Sequence, residues 1–341
     1  LSQLEGVELL WTAAQMGASD LHLSAGAPPF VRVNGRLSPI ELPPLTARDT
    51  ERILRSLATE EQWRSFAQDG EIAFAYTLPD GSRFRCIAYR QRGRCAAAIR
   101  IIPGRIPGFE ELGLPEVVKG LARRRNGLVL VTGSAASGKT TTLAAMIDLV
   151  NSERSSLIIT LEAPIEYIHK HKQGIVNQRE VGEDTGSFAG GLRSAVRQDA
   201  DVILVGEMRE WNTASAAIGA AETGKLILAS YDAADAVQTI EDVIDLFPAH
   251  QQSRMLARLS TVLQGIISQR LIPRTDGKGM VLALEIMVVT PAIRNLIRDG
   301  KTQQIRSTIE TGGKYGMQTL EASLKQLAES GLIDRNELLG T

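Results

Sequence analysis

The segment of this chain that points most directly to chemistry is Gly133-Ser-Ala-Ala-Ser-Gly138-Lys139-Thr140. Two glycines bracket four residues and are followed by a lysine and a hydroxyl residue, the pattern of a phosphate-cradling loop. Glycine lets the backbone wrap closely enough for its N–H groups to face phosphate oxygens. Lys139 is placed to reach the β- and γ-phosphates of a nucleotide, and the Thr140 hydroxyl can ligate magnesium. The candidate nucleotide-binding residues are therefore Gly133, Ser134, Ala135, Ala136, Ser137, Gly138, Lys139, Thr140 and Thr141. Ala136 stands where many such loops carry glycine, and its methyl group is small enough to be tolerated.

A phosphate cradle also needs acids at the ends of neighbouring strands to hold a magnesium shell. Asp201-Val-Ile-Leu-Val-Gly-Glu207 is an apolar run closed by a carboxylate and suits that role. A second acidic segment, Ile159-Thr-Leu-Glu162-Ala-Pro-Ile-Glu166, follows another apolar run. In open α/β sheets ligands sit at the carboxyl ends of strands, so both segments are expected to face the phosphates.

The elements that must carry these residues follow from periodicity. Apolar runs at Leu128–Val131, Leu157–Leu161, Val202–Val205 and Leu226–Ala229, with helical patterns between most of them, predict a parallel sheet covered on both faces. After the loop, Leu143, Met146 and Val150 fall on one helical face, so the loop joins a strand to a helix. That helix adds the partial positive charge of its N-terminus. From Gln251 to Leu271, Met255, Leu259, Val262, Ile266 and Ile267 recur at helical spacing and predict a core-packing helix. The first hundred residues read differently. A helical stretch (Val7, Leu10, Ala13, Met16) leads into alternating segments at Asp20–Leu23, Phe30–Val33 and Arg83–Tyr89, with turns at Asn34-Gly35 and Asp80-Gly81. This is antiparallel sheet, interrupted by a helical pattern over Thr46–Gln68, and the half is α+β. The breaker-rich run from Pro103 to Pro115 marks a boundary and hinge. The expected organisation is an N-terminal domain over 1–103, a linker over 104–115 and a nucleotide-binding domain over 116–341.

Composition excludes several classes. A formal net charge of −1 and 4% aromatic residues give no sign of a nucleic-acid binder. No apolar run reaches the roughly 20 residues of a membrane span, and no secretory signal is expected. Cys86 and Cys95 make neither a disulfide framework nor a zinc site; they suit a reducing cytosol as small hydrophobes.

Asp20-Leu-His-Leu-Ser-Ala-Gly, the phosphate loop, Thr160–Glu166, Ile175-Val-Asn-Gln-Arg-Glu-Val and Asp201–Arg209 together resemble the secretion ATPases of the type II and type IV pilus systems. Thr290-Pro-Ala-Ile-Arg-Asn-Leu-Ile-Arg-Asp-Gly-Lys and Thr311-Gly-Gly-Lys-Tyr-Gly-Met-Gln-Thr-Leu resemble the retraction branch, the PilT family, over nearly the whole chain. Assembly ATPases usually carry a four-cysteine zinc module, which two cysteines cannot build. The resemblance implies a PAS-like α+β domain followed by a RecA-like P-loop ATPase domain, with ATP and Mg2+ held between the two in a homo-hexamer. It implies work on type IV pilus retraction and twitching motility, at the cytoplasmic face of the inner membrane, on an inner-membrane pilus platform protein, with a paralogous retraction ATPase as a further partner. By position, Glu166 is the general base and Glu207 supports the magnesium shell. Arg83 and Arg85 are the candidate arginines of the N-terminal domain that approach the phosphates, with Arg193 and Arg197 as further candidates. Ala292, Ile293 and Arg294 match a surface motif used for retraction rather than hydrolysis.

Three positions depart from the family. Ala163 stands where the acidic box has aspartate, Lys225 stands where Glu-Thr-Gly is followed by histidine, and Asp232 replaces the histidine of another box. An aspartate facing the terminal phosphate repels it, and Lys225 is the expected source of compensating charge. Of the chain's own histidines, His22 belongs to the Asp-Leu-His-Leu motif, and His169, His171 and His250 are expected at the surface. These departures leave two readings open: an active motor, and a nucleotide-binding, weakly or non-hydrolysing paralogue that assists an active retraction ATPase.

Overall fold

The computed structural model describes residues 6–33, 35–102, 104–277 and 279–340, with the backbone alone described at 339 and 340. Asn34 of the expected Asn-Gly turn and Pro103 lie outside the described residues. The chain divides into two compact units, Leu1–Arg105 and Ile106–Thr341.

The first unit runs α1 (Gly6–Gln15), β1 (Asp20–Ser24), β2 (Phe30–Val33), β3 (Arg36–Pro39), α2 (Ala47–Leu57), α3 (Glu60–Asp69), β4 (Glu71–Thr77), β5 (Arg83–Gln91) and β6 (Arg94–Ile102). Its sheet has the order β3-β2-β1-β6-β5-β4, antiparallel throughout. The helical pattern over Thr46–Gln68 resolves into two helices because Thr59 starts a new one. Its hydroxyl accepts from the Gln62 N–H while the Gln62 side chain accepts from the Thr59 N–H, a reciprocal cap. Leu9, Leu10, Ile53, Leu54 and Phe66 of the helices close over Leu21, Phe84, Cys86 and Ile99 of the sheet. Both cysteines are buried, and burial pushes the Cys86 thiol up to about 12, so it behaves as a hydrophobe.

The second unit runs α4 (Glu116–Ala122), β7 (Gly127–Thr132), α5 (Lys139–Glu153), β8 (Leu157–Glu162), β9 (Ile175–Glu180), α6 (Phe188–Arg197), β10 (Val202–Val205), α7 (Trp211–Glu222), β11 (Leu226–Tyr231), α8 (Ala236–Asp245), α9 (Ala249–Val262), β12 (Leu263–Pro273), β13 (Met280–Val288), α10 (Pro291–Arg298), α11 (Ile305–Glu310) and α12 (Leu320–Glu329). Sheet order is β13-β12-β7-β11-β10-β8-β9, with only β13 antiparallel to its neighbour. Its unbroken apolar strands have a direct physical reason. Leu128 and Leu130 of β7 belong to one buried core, and Val129 and Val131 to the core on the opposite face. The same division separates Ile203 and Val205 from Val202 and Leu204 on β10. Among the described residues no helix is long and apolar enough to cross a membrane.

One expected element is corrected. The helix expected across Gln251–Leu271 ends at Val262, and Ile266 and Ile267 lie on strand β12. Leu263 takes an extended conformation, after which side chains alternate: Ile266 enters one core and Ile267 the other. Two adjacent isoleucines satisfy a helical stripe and a doubly buried strand equally well. Gly265 enforces the strand's close packing, because a Cβ there would lie 2.8 Å from Leu121 and 2.9 Å from the Met287 carbonyl.

A buried acid on β13 makes this unit pH-sensitive. Glu285 accepts a 2.7 Å hydrogen bond from the Ala236 N–H at the start of α8. Burial outweighs that bond and pushes its pKa up to about 7 from an ordinary 4.5. A raised acid pKa gives stability that is complete below the unfolded value and lost as pH rises through the folded one. Wild type should therefore lose stability relative to Glu285→Gln between about pH 4.5 and 7, by on the order of 3 kcal/mol. Chemical denaturation of both proteins across that range checks this; a pH-independent difference would contradict it.

Candidate phosphate-binding site

Strand β7 ends at Thr132, and the loop that follows is folded by residues that tolerate unusual backbone. Gly133 (φ +143°) and Gly138 (φ +90°) both occupy the region that favours glycine. A Cβ on Gly133 would collide with the Gln269 carbonyl and the Ser137 hydroxyl. Gln269, buried on β12, donates 2.8 Å to the Ser137 carbonyl and so anchors the loop from beneath. Ala136 also sits at positive φ, +62°, without the freedom of glycine. That conformation costs an alanine roughly 1–2 kcal/mol. Helix α5 then begins at Lys139 with no acid in its first turn, leaving its N-terminal N–H groups and partial positive charge directed at the loop.

The lysine is fully engaged. Its Nζ donates to the carbonyls of Gly133 and Ser134, each at 2.8 Å, and pairs with Asp232 Oδ1 at 2.9 Å. The other Asp232 oxygen accepts from Arg209 Nη2 at 2.8 Å, and Arg209 Nε also pairs with Glu207. Lys139, Asp232, Arg209 and Glu207 thus form a chain of alternating charge. Partial burial acts to raise the Asp232 pKa, but Lys139 and Arg209 together hold it below the ordinary carboxylate value.

The acidic residues converge because β8, β10 and β11 run parallel and end at one edge. Glu162 at the end of β8 is buried, and burial raises its pKa although Thr160 Oγ1 donates at 2.6 Å and Gln178 at 3.1 Å. Gln178 on β9 holds the following loop as well. Its amide nitrogen also donates to the Tyr167 carbonyl, and its oxygen accepts from the His169 N–H. Tyr167 OH meets the Thr141 hydroxyl at 2.9 Å, tying the loop to α5. This loop carries the cis Ala163–Pro164 bond and presents Glu166. Ala135, Lys139, Thr140, Glu162, Glu166, Glu207, Arg209 and Asp232 line one cleft of about 180 Å³. Its volume is below the roughly 300–1,000 Å³ typical of small-molecule pockets.

Not every candidate arrives there. Arg193 and Arg197 are exposed on α6 and border a separate groove against α7. Arg83 and Arg85 belong to the first unit, on the face of β5 opposite buried Phe84 and Cys86. Ala292 and Arg294 are exposed on α10, but Ile293 is fully buried, one helical turn before buried Ile297. The surface part of that motif is therefore Ala292 and Arg294. Lys225 is not the compensating charge. It precedes β11 and pairs with Asp199 at 3.0 Å, at the amino edge of the sheet and roughly 20 Å of strand from the cleft. Arg209, quoted in the strand motif without a role, is the second cation that faces Asp232, beside Lys139. His169 is buried rather than superficial and lines the cleft; burial lowers its pKa to about 4, so it is neutral near pH 7. Neither side chain has a signal in spacing, since each depends on which strand ends meet.

A two-faced parallel sheet, a P-loop between β7 and α5, and carboxylates at the adjoining strand ends define a RecA-like P-loop ATPase. Residues 8–339 match the model of the type II/IV secretion system protein family, and the chain belongs to that family. It is 47% identical over 328 residues to the type IV pilus retraction ATPase PilT of Pseudomonas aeruginosa, covering 96% of this chain and 95% of the relative. To the type IV pilus ATPase PilU of the same organism it is 40% identical over 336 residues, covering 98% and 88%. A crystal structure of the pilus retraction motor PilT with bound ADP superposes with a TM-score of 0.92 at 45% identity, covering 99% of this chain and 97% of that one.

The strain at Ala136 gives a local test. Ala136→Gly should leave the fold intact and raise stability by up to about 1 kcal/mol, the relief of positive φ being partly offset by the freer unfolded chain. Denaturant unfolding of the two proteins checks the sign, and a loss above about 1 kcal/mol would contradict the assigned backbone.

Proposed function

We propose that this protein is an ATP-hydrolysing motor subunit that powers type IV pilus retraction, and through it twitching motility. The observation that carries the proposal is the convergence of Lys139, Thr140, Glu166 and Glu207 on one cleft at the carboxyl edge of the sheet. Its near full-length likeness to a pilus retraction ATPase supports the retraction role.

In this reading the loop N–H groups and Lys139 bind the phosphates of ATP. Thr140 and Glu207 both line the cleft and fit a magnesium ion, which typically takes one or two protein ligands and completes its shell with phosphates and water. When bound, the metal would neutralise charge on the phosphoryl oxygens. Glu166 accepts the proton of the attacking water; the Tyr167–Thr141 contact holds its loop to α5, and Gln178 holds it to β9. Buried Glu162 shares the Gln178 amide with the same loop, so Ala163 removes one carboxylate without removing the loop's support.

Assembly into a hexameric ring, action on an inner-membrane pilus platform protein at the cytoplasmic face, and partnership with a paralogous retraction ATPase belong to the same proposal. So do a PAS-like character for the first domain (1–103), a linker over 104–115, an ATPase domain over 116–341, and contributions of Arg83 and Arg85 to the phosphates at a domain or subunit interface. Arg193, Arg197 and the exposed Ala292 and Arg294 are then proposed to act outside the hydrolytic cleft. The accessory, non-hydrolysing role is less favoured, because Glu166 and Glu207 both line the cleft and the likeness to a retraction ATPase is high.

A Glu166→Gln variant should bind ATP with affinity within a few-fold of wild type while phosphate release falls by at least about 100-fold. Unchanged release would remove Glu166 as the base.

A further inference from the structure

A lysine ammonium has three donors, and all three of Lys139's are assigned here: two to loop carbonyls and one to Asp232. The phosphates that a P-loop lysine serves are the β and the γ. A terminal phosphate approaching Nζ therefore competes with Asp232 for that third donor. The competitor is also fixed in place. Its second oxygen is held by Arg209, and Arg209 is held in turn by Glu207. Asp232 lines the same cleft as Lys139, Thr140, Glu166 and Glu207, so its charge faces the reacting end of the ligand rather than the base or sugar.

Resting on the nucleotide-binding reading above, we propose that Asp232 is a specificity-determining residue that weakens the site's preference for nucleoside triphosphate over diphosphate. A diphosphate ends one phosphoryl group earlier, carries less charge into the corner beside Lys139, and meets less of the carboxylate's repulsion. A triphosphate must share Lys139 with Asp232. Arg209 moderates the effect, since it neutralises the aspartate on the side away from the lysine. Asp232 and Arg209 thus act against each other: removing the acid favours triphosphate, and removing the arginine disfavours it. Damage to the fold would instead weaken both nucleotides together. Asp232 has a side-chain exposure of 42% and Arg209 of 65%, so neither substitution opens a cavity.

The test is isothermal titration calorimetry of the full chain with ADP and with the non-hydrolysed triphosphate AMP-PNP, in magnesium buffer, for wild type, Asp232→Asn and Arg209→Gln. Asp232→Asn should tighten AMP-PNP by about tenfold and ADP by less than about threefold. Arg209→Gln should shift the ratio of the two dissociation constants in the opposite direction. A ratio unchanged within about twofold in Asp232→Asn, or an equal loss of both nucleotides, would overturn the proposal while leaving nucleotide binding intact. Failure of wild type to bind either nucleotide would remove the P-loop reading and this inference with it.

Discussion

The charge on Lys139 is the constraint around which the second unit is arranged. An ammonium in a half-enclosed cleft needs partners, because desolvation without them costs several kcal/mol. Two come from the loop's own carbonyls, which Gly133 turns inward only because it lacks a Cβ. The third comes from the end of a strand far along the chain but adjacent in space, since β11 pairs with β7 in parallel and Tyr231 lies opposite Thr132. Parallel pairing is what brings Asp232 beside the loop. An antiparallel neighbour would end at the other edge.

The same geometry assembles the rest of the cleft. β10 and β8 continue the parallel order outward from β11, so Glu207 and Glu162 emerge at the edge where the loop begins. Beyond them, Gln178 on β9 holds three groups of the acidic loop with one amide: the Glu162 carboxylate, the Tyr167 carbonyl and the His169 N–H. Cores on both faces of the sheet fix the strand ends that present these side chains. Catalytic positions need such rigid support, because small errors in placement are costly in rate.

Much of this was legible in the sequence where local chemistry decides it. The loop's glycines, the apolar runs that fill two cores and the carboxylates that close those runs are each visible within ten residues of sequence. What escaped depends on partners far along the chain. Ile266 and Ile267 suit a helix until β7 and β13 claim them as strand neighbours. Lys225 reads as a countercharge for Asp232, yet the six residues of β11 that separate the two span the whole sheet. Arg209 and His169 carry no pattern of their own and enter the site through the fold. The departures at Ala163 and Asp232 acquire a physical meaning only beside Glu162 and Arg209.

The role proposed for this cleft is ATP hydrolysis. Magnesium-dependent phosphate release from ATP by the purified chain, compared with Lys139→Ala, tests it most directly. Wild type should release phosphate steadily, with release lost on chelation of magnesium and reduced to background in Lys139→Ala. ATP binding by wild type without any phosphate release, or release that persists in Lys139→Ala, would contradict it.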